Sequence, residues 1–211
     1  MEDEDVQSWH KYPQYRIWLN KLYLAERMRY VCGPAGIPPP IEAEYVIRPI
    51  MNLAGMGVGA RVVTMGPNDY ITKLSAGYFW CEYFQGRHLS VDYIREGGMF
   101  KQINAYEGVN EKDFLHRFHS WTSVDDKIEL PGMFLDMEID RLNLEMIVTA
   151  DGKHRVFEIH LRNGFDHMME YKEILPVFKG ESMRKEGYRF IEGPADGYGE
   201  LLYPRVGYLV K

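Results

Sequence analysis

The chain has 211 residues and a formal net charge of −6, which provides for one large domain or two small lobes. Its 45% hydrophobic content supports a buried core, and its negative charge argues against general nucleic-acid binding. The two cysteines lack a metal-type spacing, the N-terminus is too acidic for a secretion signal, and no apolar run approaches the ~18 residues of a membrane span. These features predict a cytoplasmic protein with free thiols, no membrane contact and no nucleic-acid partner.

The predicted elements are short helices and antiparallel strand pairs, which place the chain in the α+β class. Apolar spacing and turn residues define most of them. In chain order we predict a helix over Tyr15–Tyr30, strands over Glu44–Ile50 and Ala60–Met65, a strand pair of Tyr78–Phe84 with His88–Ile94, a helix over Glu111–Ser120, a hairpin of Leu142–Thr149 with Arg155–Arg162, and a helix through Met168–Lys172. The segment Leu130–Asp140 stays undecided between a helix and irregular structure.

The hairpin near the C-terminal half is the most informative feature. Its centre is Asp151-Gly152, a dipeptide typical of two-residue turns. If Ala150 pairs with Lys153, then Glu145 lies directly opposite Glu158. The same register predicts an apolar face with Leu144 opposite Ile159, Met146 opposite Phe157 and Leu142 opposite Leu161, and a polar face that also carries Asn143, His160 and Arg162.

Two opposed carboxylates call for an explanation, because like charges across a ladder repel. A cation between side chains roughly 5 Å apart would remove the repulsion. Mg²⁺ suits such a site, since it takes one or two carboxylates together with substrate phosphates. The alternative is a solvated face on which Glu145 and Glu158 splay apart.

A glycine-rich loop lies between the first two predicted strands, in the segment Asn52–Gly59. Glycines at alternate positions let backbone N–H groups approach an anion closely. The loop is neither a Walker loop nor a dinucleotide fingerprint, because no Gly-Lys-Ser/Thr follows and a strand stands where a helix should begin. A flexible hairpin tip is the alternative. Arg48, just inside the preceding strand, offers a fixed charge for a phosphate, or is a partly exposed strand arginine.

These pieces, in this order, resemble an ATP-grasp enzyme. The matching segments are Asn20–Ala25 and Ala35–Pro40 at the entry to a nucleotide lobe, Tyr45–Ile50 with Gly55-Met56-Gly57 as the phosphate strand and loop, Trp80–Asp92 as the hinge, and Glu145 with Glu158–Arg162 as the metal motif. The resemblance covers about residues 17–170. It implies two antiparallel-sheet lobes with packed helices and an ATP cleft between them. We divide the chain accordingly into residues 1–92, the nucleotide lobe, and 93–211, the metal-binding lobe.

The resemblance also implies roles for individual residues. Nucleotide contacts would come from Arg48, Gly55, Met56, Gly57, Glu82, Tyr83, Phe84 and His88. The metal ligands would be Glu145, Glu158 and His160, and Arg48 and Arg162 would steady the transferring phosphoryl group. Three positions depart from the family pattern, since Arg48 replaces a lysine, His88 a second glutamate and His160 an asparagine.

The implied activity is an ATP- and Mg²⁺-dependent carboxylate–amine ligase that acts through an acyl phosphate. Its substrates would be a small molecule or peptide with a carboxylate and an amine. Complete ligases of this family carry a substrate domain before these lobes, and only about fifteen residues precede the first match here. The size is more typical of a viral or otherwise reduced protein, and a partner chain would supply the missing lobe. The alternative is a non-catalytic ATP-grasp-like binding or assembly module.

Overall fold

The computed structural model describes residues 4–51, 57, 59–69, 75–111, 115, 117–164, 171–193 and 205–211. Two antiparallel sheets and a few short helices make up this part of the chain. The helices are α1 (Glu4–Lys11), a 3-10 helix (Pro13–Leu19), α2 (Lys21–Arg27) and a second 3-10 helix (Gly132–Phe134). The strands are β1 (Cys32–Pro34), β2 (Ala43–Pro49), β3 (Arg61–Met65), β4 (Tyr78–Glu82), β5 (Gly86–Glu96), β6 (Met99–Asn110), β7 (Phe118–Ser123), β8 (Arg141–Thr149), β9 (His154–His160), β10 (Glu173–Phe178), β11 (Arg189–Glu192) and β12 (Arg205–Val210).

The smaller sheet has the strand order β1-β4-β2-β3, and the larger one has the order β11-β12-β10-β7-β6-β5-β8-β9. This arrangement confirms the predicted α+β class with two antiparallel sheets. The smaller sheet ends at Glu82 and the larger begins at Gly86, so β5 runs through the expected lobe boundary at 92/93. The division into lobes stays a prediction. In the described part of the chain, no helix has the length and apolarity to cross a bilayer.

The main core lies on the apolar face of the larger sheet, under the N-terminal helices. It includes Leu142, Leu144, Met146, Val156 and Ile159 from the β8–β9 hairpin, with Tyr12, Leu19 and Leu24 from the N-terminal segment. Helix α2 contacts both β1 and β9. Its Leu24 joins the core of the larger sheet, while Ala25 packs with residues of the smaller sheet. Helix α2 therefore links the two sheets at the edge where the hairpin ends.

The helix predicted over Tyr15–Tyr30 is wrong as a continuous element. Asn20 has an extended backbone and separates the 3-10 helix from α2. Its side-chain oxygen accepts a hydrogen bond from the N–H of Tyr23 at 2.9 Å, which is the role of a helix N-cap. The break turns the chain so that Lys21, the first residue of α2, is buried.

The strands predicted at Tyr78–Phe84 and His88–Ile94 exist, but their mutual pairing is wrong. Strand β4 belongs to the smaller sheet, whereas β5 pairs with β6 and β8 in the larger one. Gly86 makes this crossing possible, because a Cβ added there would lie 2.1 Å from the Val148 carbonyl oxygen. Only glycine permits that close approach of the two backbones.

Two further helix predictions need correction or lie outside the described residues. The helix predicted over Glu111–Ser120 is wrong at its C-terminal end, where β7 pairs with β6 and β10 and buries Trp121. Tertiary pairing overrides local helical spacing here. Residues 168–170 of the helix through Met168–Lys172 lie outside the described residues, and the last two positions are not helical. The undecided segment contains only the short 3-10 helix Gly132–Phe134.

Candidate functional site

The polar face of the hairpin carries the predicted opposed glutamates. Glu145 is the cross-strand partner of Glu158, and Asn143 is the partner of His160. On the other side of β8, Glu145 pairs with Ser90 of β5. Cross-strand partners share a face of a sheet, so the register predicted from Asp151-Gly152 is confirmed for this half of the hairpin.

The register changes toward the turn, where the structure corrects two predicted pairs. Val148 pairs with His154 and the Thr149 N–H donates to the Lys153 carbonyl at 3.0 Å, so Lys153 faces Thr149, not Ala150, and the turn has three residues.

A β-bulge between Glu145 and Met146 makes Val156, not Phe157, the partner of Met146. A bulge inserts one residue and re-aims its side chain. Phe157 consequently lies on the polar side, with its ring 5.2 Å from the His88 ring and 4.9 Å from the Arg48 guanidinium.

Both glutamates have cationic or ionisable partners. Lys21 Nζ lies 2.8 Å from Glu158 Oε1, with only 5% of the lysine side chain exposed. His88 Nε2 lies 3.4 Å from Glu145 Oε2, an ion-pair distance without hydrogen-bonding geometry. His160 Nε2 is 3.5 Å from Glu158 Oε1 and 3.9 Å from Glu145 Oε1. The repulsion expected between the two carboxylates is therefore offset within the chain itself.

The pKa values reflect this pairing. Burial alone would raise the pKa of Glu145, but His88, His160 and Lys21 together lower it to about 2. Burial and Arg162 oppose protonation of His160, yet Asp5 and Glu158 raise its pKa above the ordinary value. Both shifts favour the charged forms and so stabilise an ionic cluster.

Asp5 in helix α1 holds the end of the hairpin. Its carboxylate accepts hydrogen bonds from Arg162 Nε at 2.7 Å and Nη2 at 2.9 Å, and it lies 3.3 Å from His160 Nδ1. Arg162 also donates to the Asn163 carbonyl. The side chain predicted to steady a phosphoryl group is thus engaged by an acid of the N-terminal helix. Its catalytic role stays a prediction.

Arg48 is placed differently, although it is equally buried. Its side chain extends from β2 and lies over the rings of Phe79, at 5.4 Å, and Phe157, at 4.9 Å. Only 7% of the residue is exposed, and its Nε has no hydrogen-bond partner. Burial lowers the pKa of Arg48, while the nearby Glu158 and Glu145 act in the opposite direction. The structure thus gives the predicted phosphate arginine a buried position between the sheets.

The hinge predicted to receive adenine connects β4 to β5. Glu82 is tied to Val31 twice, through its backbone N–H at 2.8 Å and its carboxylate at 3.3 Å. The Phe84 ring meets the Tyr30 ring edge-on at 4.8 Å, and the Arg155 guanidinium lies 5.2 Å from Phe84. Tyr83 lies between these two residues and is partly exposed. The nucleotide roles of the hinge and of His88 stay predictions.

The glycine-rich loop is described only in part. Gly55 and Met56, two predicted phosphate contacts, lie outside the described residues. Gly57 has a φ of 69°, in the left-handed region that glycine adopts without strain, and its carbonyl accepts from the N–H of Ala60 at 2.9 Å.

Two site residues, Lys21 and Asp5, were not predicted from the sequence. The available signal for Lys21 was Asn20, a residue type favoured at helix N-caps, which marks a new helix start. Asp5 gave no comparable signal, because its partner Arg162 is 157 positions away.

The two carboxylates do not form a ready metal site. Among the described residues, no group of three His, Cys, Asp or Glu side chains is arranged to hold a metal ion. Glu158 is already paired with an ammonium group, and His160 offers an imidazole nitrogen, which suits Mg²⁺ less well than oxygen. The arrangement fits an internal ion-pair cluster better than a magnesium centre. The metal-ligand roles of Glu145, Glu158 and His160 stay a prediction.

Comparisons with solved structures identify the fold. The L-amino acid ligase from Bacillus licheniformis matches with a TM-score of 0.58 and 12% identity, over 93% of this chain and 67% of that one. N5-carboxyaminoimidazole synthetase from Staphylococcus aureus, complexed with ADP, matches with a TM-score of 0.61 and 10% identity, over 94% and 68%. The biotin carboxylase domain of Hydrogenobacter thermophilus 2-oxoglutarate carboxylase, in complex with MgADP and bicarbonate, gives 0.58 and 10%, over 94% and 63%.

These neighbours are ATP-grasp proteins, and the predicted ATP-grasp fold is confirmed. At such identities the likeness concerns the fold alone, and this chain spans about two thirds of each neighbour's length. No model of a protein family matches the sequence. No curated protein matches it either.

Proposed function

We propose that this chain binds ATP between its two sheets and uses it to join a carboxylate to an amine. The observation that carries the proposal is the buried guanidinium of Arg48. Among the described residues it has ring contacts and no carboxylate within ion-pair distance. A buried charge without a counter-ion is costly, and an incoming phosphate would supply one through short, charge-assisted hydrogen bonds.

The surroundings of Arg48 suit a nucleotide. The partly exposed Phe84 offers apolar ring surface at the hinge, the buried Tyr30 packs edge-on against it, and Arg155 adds a second positive charge beside them. If the base of the nucleotide packed against the hinge and its phosphates bound at Arg48, its apolar and its charged part would each have a suitable environment. ATP contacts with Gly55, Met56, Gly57 and His88 belong to this proposal as well.

The reaction would proceed in two displacements. A carboxylate oxygen attacks the γ-phosphorus of ATP, the bond to the bridging oxygen breaks, and ADP leaves. An amine nitrogen then attacks the acyl carbon of the acyl phosphate, phosphate leaves, and the amine loses a proton. Arg48 would donate to the phosphate oxygens and stabilise the charge that develops on them. The amine and carboxylate would belong to a small molecule or peptide, with an acceptor lobe provided by a partner chain.

Calorimetry and a product assay test this function together. We expect ATP to bind to the parent and to bind more weakly to Arg48→Met, whereas Arg61→Met, an exposed arginine of the same sheet, leaves binding unchanged. Amino acids, peptides and modified nucleotides would then be screened singly and in pairs for release of ADP. ADP release that requires both a carboxylate and an amine supports the proposal. Formation of AMP would contradict the mechanism.

A second candidate is a non-catalytic ATP-grasp module that binds a nucleotide or partner without turnover. A specific observation favours it, because Arg162 is engaged by Asp5 and Glu158 by Lys21. Side chains held in internal pairs are less free to follow a reacting phosphoryl group. ATP binding without ADP release across the screen would favour this candidate over the ligase.

A further inference from the structure

The acidic pair of Glu145 and Glu158 already has a cation beside it, the ammonium group of Lys21. Lys21 and Glu158 approach to 2.8 Å, with side-chain exposures of 5% and 15%. An ammonium group at such depth is stable only when it is paired. On the other carboxylate, His88 and His160 stand within 4.0 Å of Glu145. Both carboxylates of the pair therefore already face a cationic or ionisable partner.

The backbone around Lys21 fixes its position. The N–H of Lys21 donates to the Ile50 carbonyl at 2.9 Å, which ties the start of α2 to the end of β2. Asn20 caps the same turn through the N–H of Tyr23. Lys21 thus bridges the sheets, with its backbone bound to the smaller sheet and its ammonium group bound to the larger one.

The space beside the Lys21–Glu158 pair is small. A cavity of about 10 Å³ is lined by Asp5, Trp18, Lys21, Glu158 and His160, which is about the room that one water molecule needs. Mg²⁺ usually keeps several waters of its own. A Mg²⁺ bound to Glu158 would also lie within about 5 Å of Lys21 Nζ, given ligand distances of about 2.1 Å, and would be repelled by it.

We propose that Lys21 is the resident counter-cation of the Glu145–Glu158 pair, and that nucleotide binding in this chain does not require a divalent metal. The ligand would be a nucleoside polyphosphate bound as the free anion, with Arg48 offsetting one of its negative charges. Only the nucleotide half of this proposal rests on the proposed function. The role of Lys21 is testable without any nucleotide.

The first experiment measures Mn²⁺ binding by electron paramagnetic resonance in the absence of nucleotide. We expect the parent to bind Mn²⁺ weakly, and Lys21→Met to bind it at least tenfold more tightly, because removal of the ammonium frees Glu158 and removes the positive charge beside the acidic pair. Adding Glu145→Gln to Lys21→Met should abolish the gain. The matched control is Lys101→Met, which removes a lysine from an exposed pair with Glu96 at 2.9 Å. Tight Mn²⁺ binding by the parent, with no gain in Lys21→Met, would overturn the proposal.

The second experiment needs only the parent protein, so it holds even if Lys21→Met fails to fold. ATP is titrated calorimetrically in the presence of EDTA and again with excess Mg²⁺. We expect dissociation constants within about threefold of each other, and a tenfold tighter complex with Mg²⁺ would overturn metal independence. Absence of binding under both conditions would instead reject the nucleotide site, and the manganese measurement would still decide the role of Lys21.

Discussion

Acidic and basic side chains lie close to where the two sheets meet, and their charges are satisfied in different ways. The larger sheet contributes the acidic pair, whose carboxylates meet Lys21, His88 and His160 within 4.0 Å. Arg48 from β2 of the smaller sheet and Arg155 from β9 of the larger sheet lie over aromatic rings instead. Among the described residues, neither arginine has a carboxylate at ion-pair distance, and the Nε atom of each is buried without a hydrogen-bond partner.

Under the proposed function, this difference separates a structural half, the acidic pair with its partners, from a binding half, Arg48 and Arg155. A matched buried ion pair holds elements together and has little capacity left for a ligand. A buried guanidinium without an ion pair is destabilising by itself, and under the proposed function an anion that binds there would offset this cost. Perturbing each half in turn should therefore change different observables, with stability affected on the acidic side and nucleotide affinity on the arginine side.

The largest effect is expected from Lys21→Met, which leaves Glu158 without its ammonium partner. Breaking a buried pair by removal of one member costs roughly 3 kcal/mol or more in the free energy of unfolding. Urea unfolding measures this loss, and Lys101→Met should change the same quantity by less than about 1 kcal/mol because its pair is exposed. The double variant Lys21→Met with Glu158→Gln should regain part of the lost stability. Equal effects for Lys21 and Lys101 would contradict a structural role for the buried pair.

The next effect concerns Arg48→Met, which keeps side-chain volume and removes the charge. We expect ATP affinity to fall by about 1–3 kcal/mol, the contribution of charge-assisted hydrogen bonds. Stability should stay equal or rise, because a desolvated charge is removed. Calorimetry and urea unfolding on the same samples, with Arg61→Met as control, separate the two quantities. A strong loss of stability with unchanged affinity would place Arg48 in the structural half.

Local sequence signals predicted part of this contrast. The Asp151-Gly152 turn and the alternation of apolar residues along β8 and β9 led to the observed pairing of Glu145 with Glu158. The turn is nevertheless one residue longer than predicted, and the bulge between Glu145 and Met146 restores the predicted register. The bulge that turns Phe157 toward Arg48 was not predictable in this way, because its partners come from β2 and β5. Counting strand pairs outward from a turn assumes a regular ladder, and a single inserted residue breaks that assumption.

Long-range partners were the harder part of the site. The opposed carboxylates alone led to the prediction of a metal ion, whereas in the structure Lys21 is the cation that pairs with Glu158. Helical spacing had placed Lys21 inside a continuous helix, but it is the first residue of α2. Asp5 and Arg162 lie 157 positions apart in the sequence, and nothing in either local segment indicates the other. Such contacts follow from how α1 and α2 pack on the hairpin edge, which residue spacing does not describe.

A smaller effect should appear in the pH dependence of stability. Burial acts to raise the pKa of Asp5, but His160 and Arg162 lower it well below its usual range. A depressed folded-state pKa contributes stability that is present above the unfolded value of about 4 and is lost as the pH falls through the folded value. Asp5→Asn should therefore lower stability by about 1.5 kcal/mol near neutral pH and flatten the decline toward acid.

Urea unfolding from about pH 6 to about pH 2 measures this change in slope. Glu129→Gln, which removes an exposed acid, is the matched control and should keep the slope of the parent. A variant curve parallel to the parent's would mean that Asp5 does not link acid titration to the hairpin end.

The smallest effect is expected from Arg155→Met, and it tests whether the two arginines act alike. Arg155 lies 5.2 Å from the Phe84 ring and 5.7 Å from the Tyr30 ring, so its charge faces the hinge rather than the position proposed for the phosphates. A cation over aromatic rings contributes about 0.5–1 kcal/mol when partly exposed. Arg155→Met should therefore weaken the binding of ATP and of ADP equally and by about that amount. Arg48→Met should weaken ATP binding more than ADP binding if the terminal phosphates bind at Arg48, as proposed. Calorimetric titration of both nucleotides into both variants gives the comparison. If Arg155→Met discriminated between ATP and ADP as strongly as Arg48→Met, the phosphates would have to lie nearer the hinge. The proposed orientation of the nucleotide, with its base at the hinge and its phosphates at Arg48, would then be wrong.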